Sequence, residues 1–277
     1  MDLKTLLDTP PWEWPSDAAR TFRNALIDRR ANAGDRLIAA RLAGDFTVIS
    51  DDLADALMAI VRNAEEPEEL RARAAISFGA ALEHAYINEF DDPDDTPITE
   101  RTFRNIQDLL QELFLDPGTP KEVRRRILEA SVRAPEDWHK NAISSAYASG
   151  DQDWMLTAVF SMRWIRGFDR QILESLKSAN PEIQYEAVSA AGQWEFDAAW
   201  SHIVSLVENA GTPKPLLLAA MDAAANIRPG EAEAILGGLT ASRDEEIAEA
   251  AHEAIEMAQL MSGKTDDEED SSEDWIN

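Results

Sequence analysis

Cysteine does not occur in this chain of 277 residues. Its absence excludes disulfide bonds, thiolate metal sites and cysteine nucleophiles. Long apolar runs are missing as well, since no segment approaches the roughly 20 consecutive apolar residues that a membrane helix needs. The amino-terminal residues contain no basic stretch followed by an apolar one, so no secretory signal is expected. We therefore predict a cytoplasmic protein that does not enter a membrane.

Positive charge is scarce. The chain has 26 lysines and arginines against 53 aspartates and glutamates, which gives a formal net charge of -27. Nucleic acids and anionic membrane surfaces are bound by cationic protein faces. The sequence therefore predicts neither of them as a partner. We interpret most of the charge as solvation of the surface rather than as recognition.

The sequence does contain one spacing pattern of apolar residues that recurs along the chain. Apolar residues follow it at Trp200, Ile203, Val204 and Val207, and the same spacing returns 32 residues later, from Ala232 to Leu239. This spacing places an apolar stripe on one face of a helix, here called an A helix. A second spacing, found in Ile183, Ala187, Val188 and Ala191 and in Leu216, Ala220, Met221 and Ala224, defines a B helix. Alternating A and B helices at a fixed period predict a helical repeat.

The pattern extends over most of the chain and fixes the predicted domain organisation. It fits about seven antiparallel helix pairs between residues 16 and 262, so the predicted fold class is all-α, a solenoid. Residues 1–15 are predicted to form an extended arm. Residues 88–98 are predicted to form an acidic loop insertion, and residues 263–277 a disordered acidic tail.

Two acidic segments have functional alternatives. The 88–98 loop holds five acids, but its spacing is not that of an EF-hand, so a solvated loop is favoured over a calcium site. The tail ends in Trp275 and Ile276, which could anchor it in a basic groove of the same or another molecule. Disorder without such a role is the favoured interpretation.

The repeated units, and the segment Asp116 to Arg124 in particular, resemble HEAT repeats, and the short period resembles the HEAT-like units of bacterial scaffold proteins and of the phycobilisome lyase family. The resemblance implies an armadillo-like, right-handed α–α superhelix. It also implies a ladder of Asp116 with Val123 and Arg124. Proteins of this superfamily include scaffolds, adaptors, chromophore lyases and DNA glycosylases, so the resemblance implies an architecture more sharply than a function.

No motif for catalysis is present. HExxH, GxSxG, Walker A and GxGxxG elements are all missing, and the four histidines lie in different repeats. We interpret the histidines as surface or packing residues. The sequence therefore predicts no catalytic residue, no cofactor and no metal, and the chain is expected not to be an enzyme.

The middle of the chain differs in charge from the rest. Residues 120–180 contain ten basic residues against eight acidic ones, together with several aromatic residues. Arginine and tryptophan are enriched in binding hot spots. We predict that a partner binds the side chains that fall off the apolar pattern, which are Arg126, Arg163, Trp164, Arg166 and Arg170. An anionic or aromatic-bearing peptide is the expected ligand, and charge reversal of Arg163 and Arg166 is expected to abolish its capture.

These observations favour a monomeric, non-enzymatic protein-interaction scaffold or adaptor. It is expected to use the concave face of the acidic α-solenoid to bind a protein or peptide, anionic or basic-surfaced. Three alternatives stay open. The resemblance allows a bilin lyase-like protein that attaches or carries a linear tetrapyrrole. The charge allows an acidic DNA mimic that occupies a basic partner. A glycosylase on the same frame would draw on Trp138, Arg163, Trp164 and Asp169, against the electrostatic repulsion of DNA.

Overall fold

The structure, a computed structural model, describes residues 2–90 and 96–270 of the chain, with side chains up to residue 263. Within these ranges the chain forms helices and no strand. The prediction of an all-α fold is confirmed, and within each unit consecutive helix pairs pack side by side as in an α-solenoid. No helix in the same ranges combines the length and the apolar run needed to cross a bilayer.

The chain divides into two compact units, Met1–Ala142 (unit 1) and Ile143–Asn277 (unit 2). Unit 1 contains α1 (Leu3–Leu7), α2 (Ala18–Ile27), α3 (Ala33–Leu42), α4 (Asp51–Arg62), α5 (Glu68–Ile76), α6 (Gly79–Asn88), α7 (Glu100–Leu115) and α8 (Lys121–Ser131). The division falls within α9 (Asp137–Ala148).

Unit 2 continues with α10 (Gln152–Ser161), α11 (Asp169–Ser175), α12 (Pro181–Gln193), α13 (Trp200–Glu208), α14 (Lys214–Ile227), α15 (Pro229–Leu236) and α16 (Glu245–Asp270). Two short 3-10 turns, Pro11–Glu13 and Asp197–Ala199, precede α2 and α13.

Apart from α1 and α6, A and B helices alternate within each unit as predicted. Within unit 1, α2 packs on α3, α4 on α5 and α7 on α8; within unit 2, α11 packs on α12, α13 on α14 and α15 on α16. The B helices also pack on the next B helix, α3 on α5 and α5 on α8 in unit 1, and α10, α12, α14 and α16 in succession in unit 2. The α7 stripe of Ile106, Leu109, Leu110 and Leu113 is buried. The α7 helix therefore buries its apolar stripe against neighbouring helices, as a solenoid requires.

A polar side chain near the start of the B helix ties several pairs together. Arg36 Nη2 donates to the Leu26 carbonyl at 3.1 Å, Arg71 Nε to Val61 at 2.9 Å, Arg124 Nε to Phe114 at 2.8 Å and Gln184 Nε2 to Leu176 at 3.0 Å. The accepting carbonyls lie at the ends of A helices, where intrahelical donors run out. Glutamine at 184 thus makes the hydrogen bond that arginine makes in the other three pairs.

The prediction of an extended amino-terminal arm is wrong. Residues 3–7 form α1, whose amino end is capped by the Asp2 carboxylate accepting from the Thr5 N–H at 2.8 Å. Leu6 is fully buried, and the Trp14 indole N–H donates to the carbonyls of Leu6 and Thr9 at 3.0 and 2.9 Å. The arm is structured because it buries a leucine and folds back onto its own carbonyls.

Two further segments differ in part from expectation. The segment before the predicted acidic loop forms two helices rather than one continuous B helix, because α5 ends at Ile76 and α6 begins at Gly79. At the other end of the chain, α16 continues past Gly263 to Asp270, into the segment predicted to be a disordered tail. Extending a formed helix adds one hydrogen bond per residue, which offsets the cost of about 1 kcal/mol for one glycine. Residues 271–277, and residues 91–95 of the predicted acidic loop, lie outside the described residues.

Gly44 marks a contact that only the smallest side chain permits. A Cβ atom at this position would lie 2.2 Å from the Ser77 carbonyl oxygen and 2.6 Å from the Ser77 Cβ. Ser77 is held there by its hydroxyl, which donates to the Ala40 carbonyl at 2.7 Å. The end of α3 and the end of α5 thus touch at Gly44.

We expect Gly44→Ala to lower the free energy of unfolding by about 1–3 kcal/mol, because the added methyl group overpacks a contact that includes backbone. The matched control is Gly230→Ala in α15, where a Cβ would meet nothing within 4 Å. That substitution should raise the stability by about 0.5–1 kcal/mol by reducing the entropy of the unfolded chain. Urea unfolding measures both, and equal effects would contradict the contact.

Candidate functional site

The five predicted partner-binding residues divide between the units. Arg126 lies on α8 in unit 1, where its guanidinium bonds to Glu122 at 2.8 Å and to Glu129 at 2.6 Å. The other four residues belong to unit 2. Arg170, on α11, is an exposed side chain paired with Glu174 at 3.1 Å, one helical turn along the same surface. Such an exposed pair contributes little to stability or recognition by itself.

Arg163, Trp164 and Arg166 come together in the connection between α10 and α11. The Arg163 guanidinium lies 5.2 Å from the centre of the Trp164 ring, and the Arg166 guanidinium lies 4.3 Å from the centre of the Trp194 ring. The Trp194 indole N–H in turn donates to the Met162 carbonyl at 2.7 Å. Cation–π contacts therefore fix this connection against the end of α12.

A groove of about 760 Å³ follows the exposed faces of α12 and α14 in unit 2 and reaches Glu246 of α16. Of the five predicted residues, Arg163 is the one found among the described residues that line this groove. Its remaining lining residues are Tyr185, Ser189, Gly192, Gln193, Glu195, Lys214, Pro215, Leu218, Ala219, Asp222, Asn226 and Glu246. Only B helices and the segments next to them contribute, so the groove depends on the stacking of consecutive repeats.

Both cations of the groove already have carboxylate partners. Lys214 Nζ lies 2.8 Å from Asp244 Oδ1 and is also paired with Glu246, and these hydrogen bonds raise the pKa of Lys214. Arg163 Nη1 lies 3.7 Å from Glu186 Oε2. Each positive charge is thus compensated within unit 2.

Two carboxylates of the groove differ from its two cations in their ion pairing. Glu195 and Asp222 are exposed, and neither has an ion-pair partner among the residues that the structure describes. The groove therefore presents negative charge to a ligand. This is opposite in sign to the anionic peptide that the arginines in the sequence suggested.

The apolar part of the groove depends on a close approach of two helices. A Cβ added to Gly192 of α12 would lie 2.9 Å from the Ala223 Cα and 3.0 Å from the Ala223 Cβ of α14. Pro215, Leu218 and Ala219 of α14 line the groove as well. The sequence did not lead us to this site, although Gly192, near the carboxyl end of α12, was a visible signal.

Glu195 lies just after α12 with a φ of 51°, in the left-handed region. The Glu195 N–H donates to the Gly192 carbonyl at 3.0 Å, and the Phe196 N–H donates to the Ala191 carbonyl at 2.9 Å. Glycine is the usual residue at such a helix end because it has no Cβ to oppose the conformation. A glutamate held in this strained geometry places a carboxylate at the rim of the groove.

The part of the chain that the structure describes contains no cluster of side chains that could hold a metal ion. No three histidine, aspartate or glutamate side chains are arranged there as a metal site. His139, in unit 1, is fully buried and hydrogen-bonded rather than exposed to a ligand.

The chain is similar to several solved structures at low sequence identity. Human deoxyhypusine hydroxylase in complex with glycerol is 15% identical, with 93% of this chain and 88% of that chain covered and a TM-score of 0.42. The CpcE–CpcF complex of phycocyanin lyase from Nostoc sp. PCC7120 is 15% identical, with 91% and 98% covered and a TM-score of 0.44. An engineered protein is 18% identical, with 89% and 98% covered and a TM-score of 0.34. No family model matches the sequence, and no curated protein matches it.

These similarities correct one expectation. The sequence led us to expect that the chain is not an enzyme, yet two of the similar structures are named as enzymes, a hydroxylase and a lyase. One fold can host unrelated functions, so the expectation is withdrawn. At 15% identity the similarity concerns the fold, and the bilin lyase alternative stays a prediction.

Proposed function

We propose that this chain is a protein-interaction scaffold, and that the groove of unit 2 binds an extended, basic segment of a protein partner. The observation that carries the proposal is the groove itself, about 760 Å³ in volume and lined by consecutive B helices. Repeat proteins bind through such extended surfaces because each added repeat lengthens the surface without altering the core.

The chemistry of the lining supports a peptide ligand. Ser189 and Gln193 can exchange hydrogen bonds with the backbone of an extended chain. Tyr185, which is 36% exposed, and Leu218 offer apolar area for side chains of the ligand. Such a mixture of polar and apolar groups suits a segment that alternates between the two kinds of residue.

The charges support a basic ligand. Glu195 and Asp222 can each pair with a lysine or arginine, whereas Arg163 and Lys214 are already compensated. The net charge of -27 adds long-range attraction for a cationic partner, which raises the association rate and weakens with salt.

The proposal predicts that Glu195→Gly combined with Asp222→Asn weakens partner capture at least about tenfold, since a lost contact of about 1.4 kcal/mol lowers affinity tenfold. Glu195→Gly removes the carboxylate and relieves the left-handed backbone, so a binding loss cannot be attributed to unfolding. Tagged full-length chain is used for affinity capture from the source cell, with quantification by mass spectrometry.

The matched control is Glu208→Gln combined with Glu233→Gln, which changes the net charge equally on the A helices α13 and α15. A photo-crosslinking residue at Ser189, in the groove, should link the partner, whereas the same residue at Ser205, exposed on α13, should not. Equal capture by the groove variant and its control, or crosslinking from Ser205 alone, would rule out the groove.

A further inference from the structure

A second pocket lies in unit 1, and its charge is opposite to that of the unit 2 groove. It has a volume of about 580 Å³, within the range of ligand-binding pockets. Three arginines line it, Arg41, Arg73 and Arg133, against one aspartate, Asp45. In a chain with 53 acidic residues, such a local excess of positive charge runs against the average composition.

Two of the arginines are available to a ligand. Arg41 and Arg73 are exposed and have no ion-pair partner among the residues described in unit 1. Arg133 is held in place by Glu83, whose Oε2 lies 2.8 Å from its Nη1. Asp45 is occupied locally, because its carboxylate accepts from the Thr47 N–H at 2.9 Å and from the Thr47 hydroxyl at 2.6 Å.

The apolar wall of the pocket is built from aromatic and aliphatic side chains. Trp14 is fixed by its two indole hydrogen bonds and by an edge contact with Phe22 at 5.3 Å. Phe46 is 47% exposed, and its ring centre lies 4.4 Å from that of His84. Ile76 also lines the pocket. A ligand that fits must therefore carry apolar area as well as negative charge.

Gly79 makes room for this arrangement. A Cβ there would lie 2.9 Å from the Arg133 Nε, so the arginine side chain passes directly over the start of α6. This passage depends on the division between α5 and α6. The break between α5 and α6, which the repeat pattern did not predict, is thus part of the pocket.

We propose that the unit 1 pocket binds an acidic peptide segment that carries an aromatic side chain between its carboxylates. Guanidinium groups pair bidentately with carboxylates, and Arg41 and Arg73 supply two of them on different helices. Trp14 and Phe46 provide the surface on which an aromatic residue of the peptide packs. The inference is independent of the unit 2 groove, which has the opposite charge and a different lining.

The test uses the peptide fluorescein-Asp-Glu-Asp-Trp-Glu-Asp-amide, labelled at its amino terminus, titrated with full-length protein and followed by fluorescence anisotropy. The chain itself contains an acidic segment with Trp275, so every protein carries Trp275→Ala to remove this competitor. We expect saturable binding that weakens at least tenfold when Arg41→Glu and Arg73→Glu are combined. It should weaken at least tenfold as well when alanine replaces the tryptophan of the peptide.

The control variant combines Arg23→Glu with Arg62→Glu, two exposed arginines of unit 1 that do not line the pocket and carry the same change in charge. It should bind the peptide within about twofold of the parent chain. Thermal unfolding of each variant separates lost binding from lost folding. Absence of binding to the parent, an equal loss in the control, or undiminished binding of the alanine peptide would each overturn the proposal.

Discussion

Glu66→Ala should lower the free energy of unfolding by about 3–5 kcal/mol, because it leaves the Arg36 guanidinium buried without its counter-charge. Each side chain of this pair is 9% exposed, and the two are joined by hydrogen bonds of 2.6 and 2.9 Å. The pair raises the pKa of Arg36 and lowers that of Glu66. Urea unfolding at pH 7 measures the loss.

A double variant distinguishes the cost of an unpaired buried charge from the cost of lost packing contacts. Arg36→Met combined with Glu66→Leu should cost less than Glu66→Ala alone, since two apolar side chains of similar size leave no buried charge unpaired. The exposed pair of Arg20 and Asp17 is the control, and Arg20→Ala should change stability by less than about 1 kcal/mol. If the double variant lost as much stability as the two single substitutions added together, an unpaired buried charge would not be the cause of the Glu66→Ala loss.

Acidification from pH 6.5 to pH 4 should destabilise the protein by about 3 kcal/mol through His139. Burial lowers the pKa of His139 from its ordinary 6.5 to about 4. Its Nδ1 accepts from the Glu136 N–H at 2.9 Å, so Nε2 carries the proton and donates to the Ser131 hydroxyl at 2.9 Å. Between the two pKa values only the unfolded chain takes up a proton, so stability falls as the pH falls, by about 1.4 kcal/mol per pKa unit.

The measurement is the free energy of unfolding of the wild type and of His139→Asn at several pH values from 7.5 to 4. Asparagine keeps an acceptor for the Glu136 N–H but does not titrate, so the wild type should lose about 3 kcal/mol more than the variant over this range. His252→Asn, at an exposed position of α16, should follow the wild type. Glu66 contributes mainly below its ordinary pKa, because its pKa is lowered. Burial also lowers the pKa of His202, which contributes equally to both proteins, so the difference between the two curves above pH 4.5 reports on His139. If the free energies of unfolding of wild type and His139→Asn changed in parallel with pH, His139 would be excluded as the cause of the pH dependence.

Much of the fold was predictable because the repeat can be recognised from the spacing of apolar residues within each helix. The stripe of Ile106, Leu109, Leu110 and Leu113 needs only the helical period to be recognised, and all four residues are buried. Where a segment carries no such stripe the prediction failed. The amino-terminal arm forms α1 through one buried leucine and one cap, and neither makes a periodic signal.

The candidate site was predictable in part. The arginines and tryptophans of the middle segment were visible, and Arg163 does line the unit 2 groove. The charge of that groove was not visible, because it depends on which carboxylate each cation meets. Lys214 is compensated by Asp244, 30 residues away, and Arg163 by Glu186, so the exposed charges are Glu195 and Asp222.

Spacing along the chain determined that this protein is a stack of helix pairs, because a helix of known period must bury whichever face is apolar. Packing between repeats decided which side chains meet across 30 or so positions, such as Arg36 with Glu66 and Gly44 with Ser77. These contacts set the buried charges, the close approaches and the sign of each binding surface. No local pattern encodes them, because each depends on distances between helices that are separate in sequence.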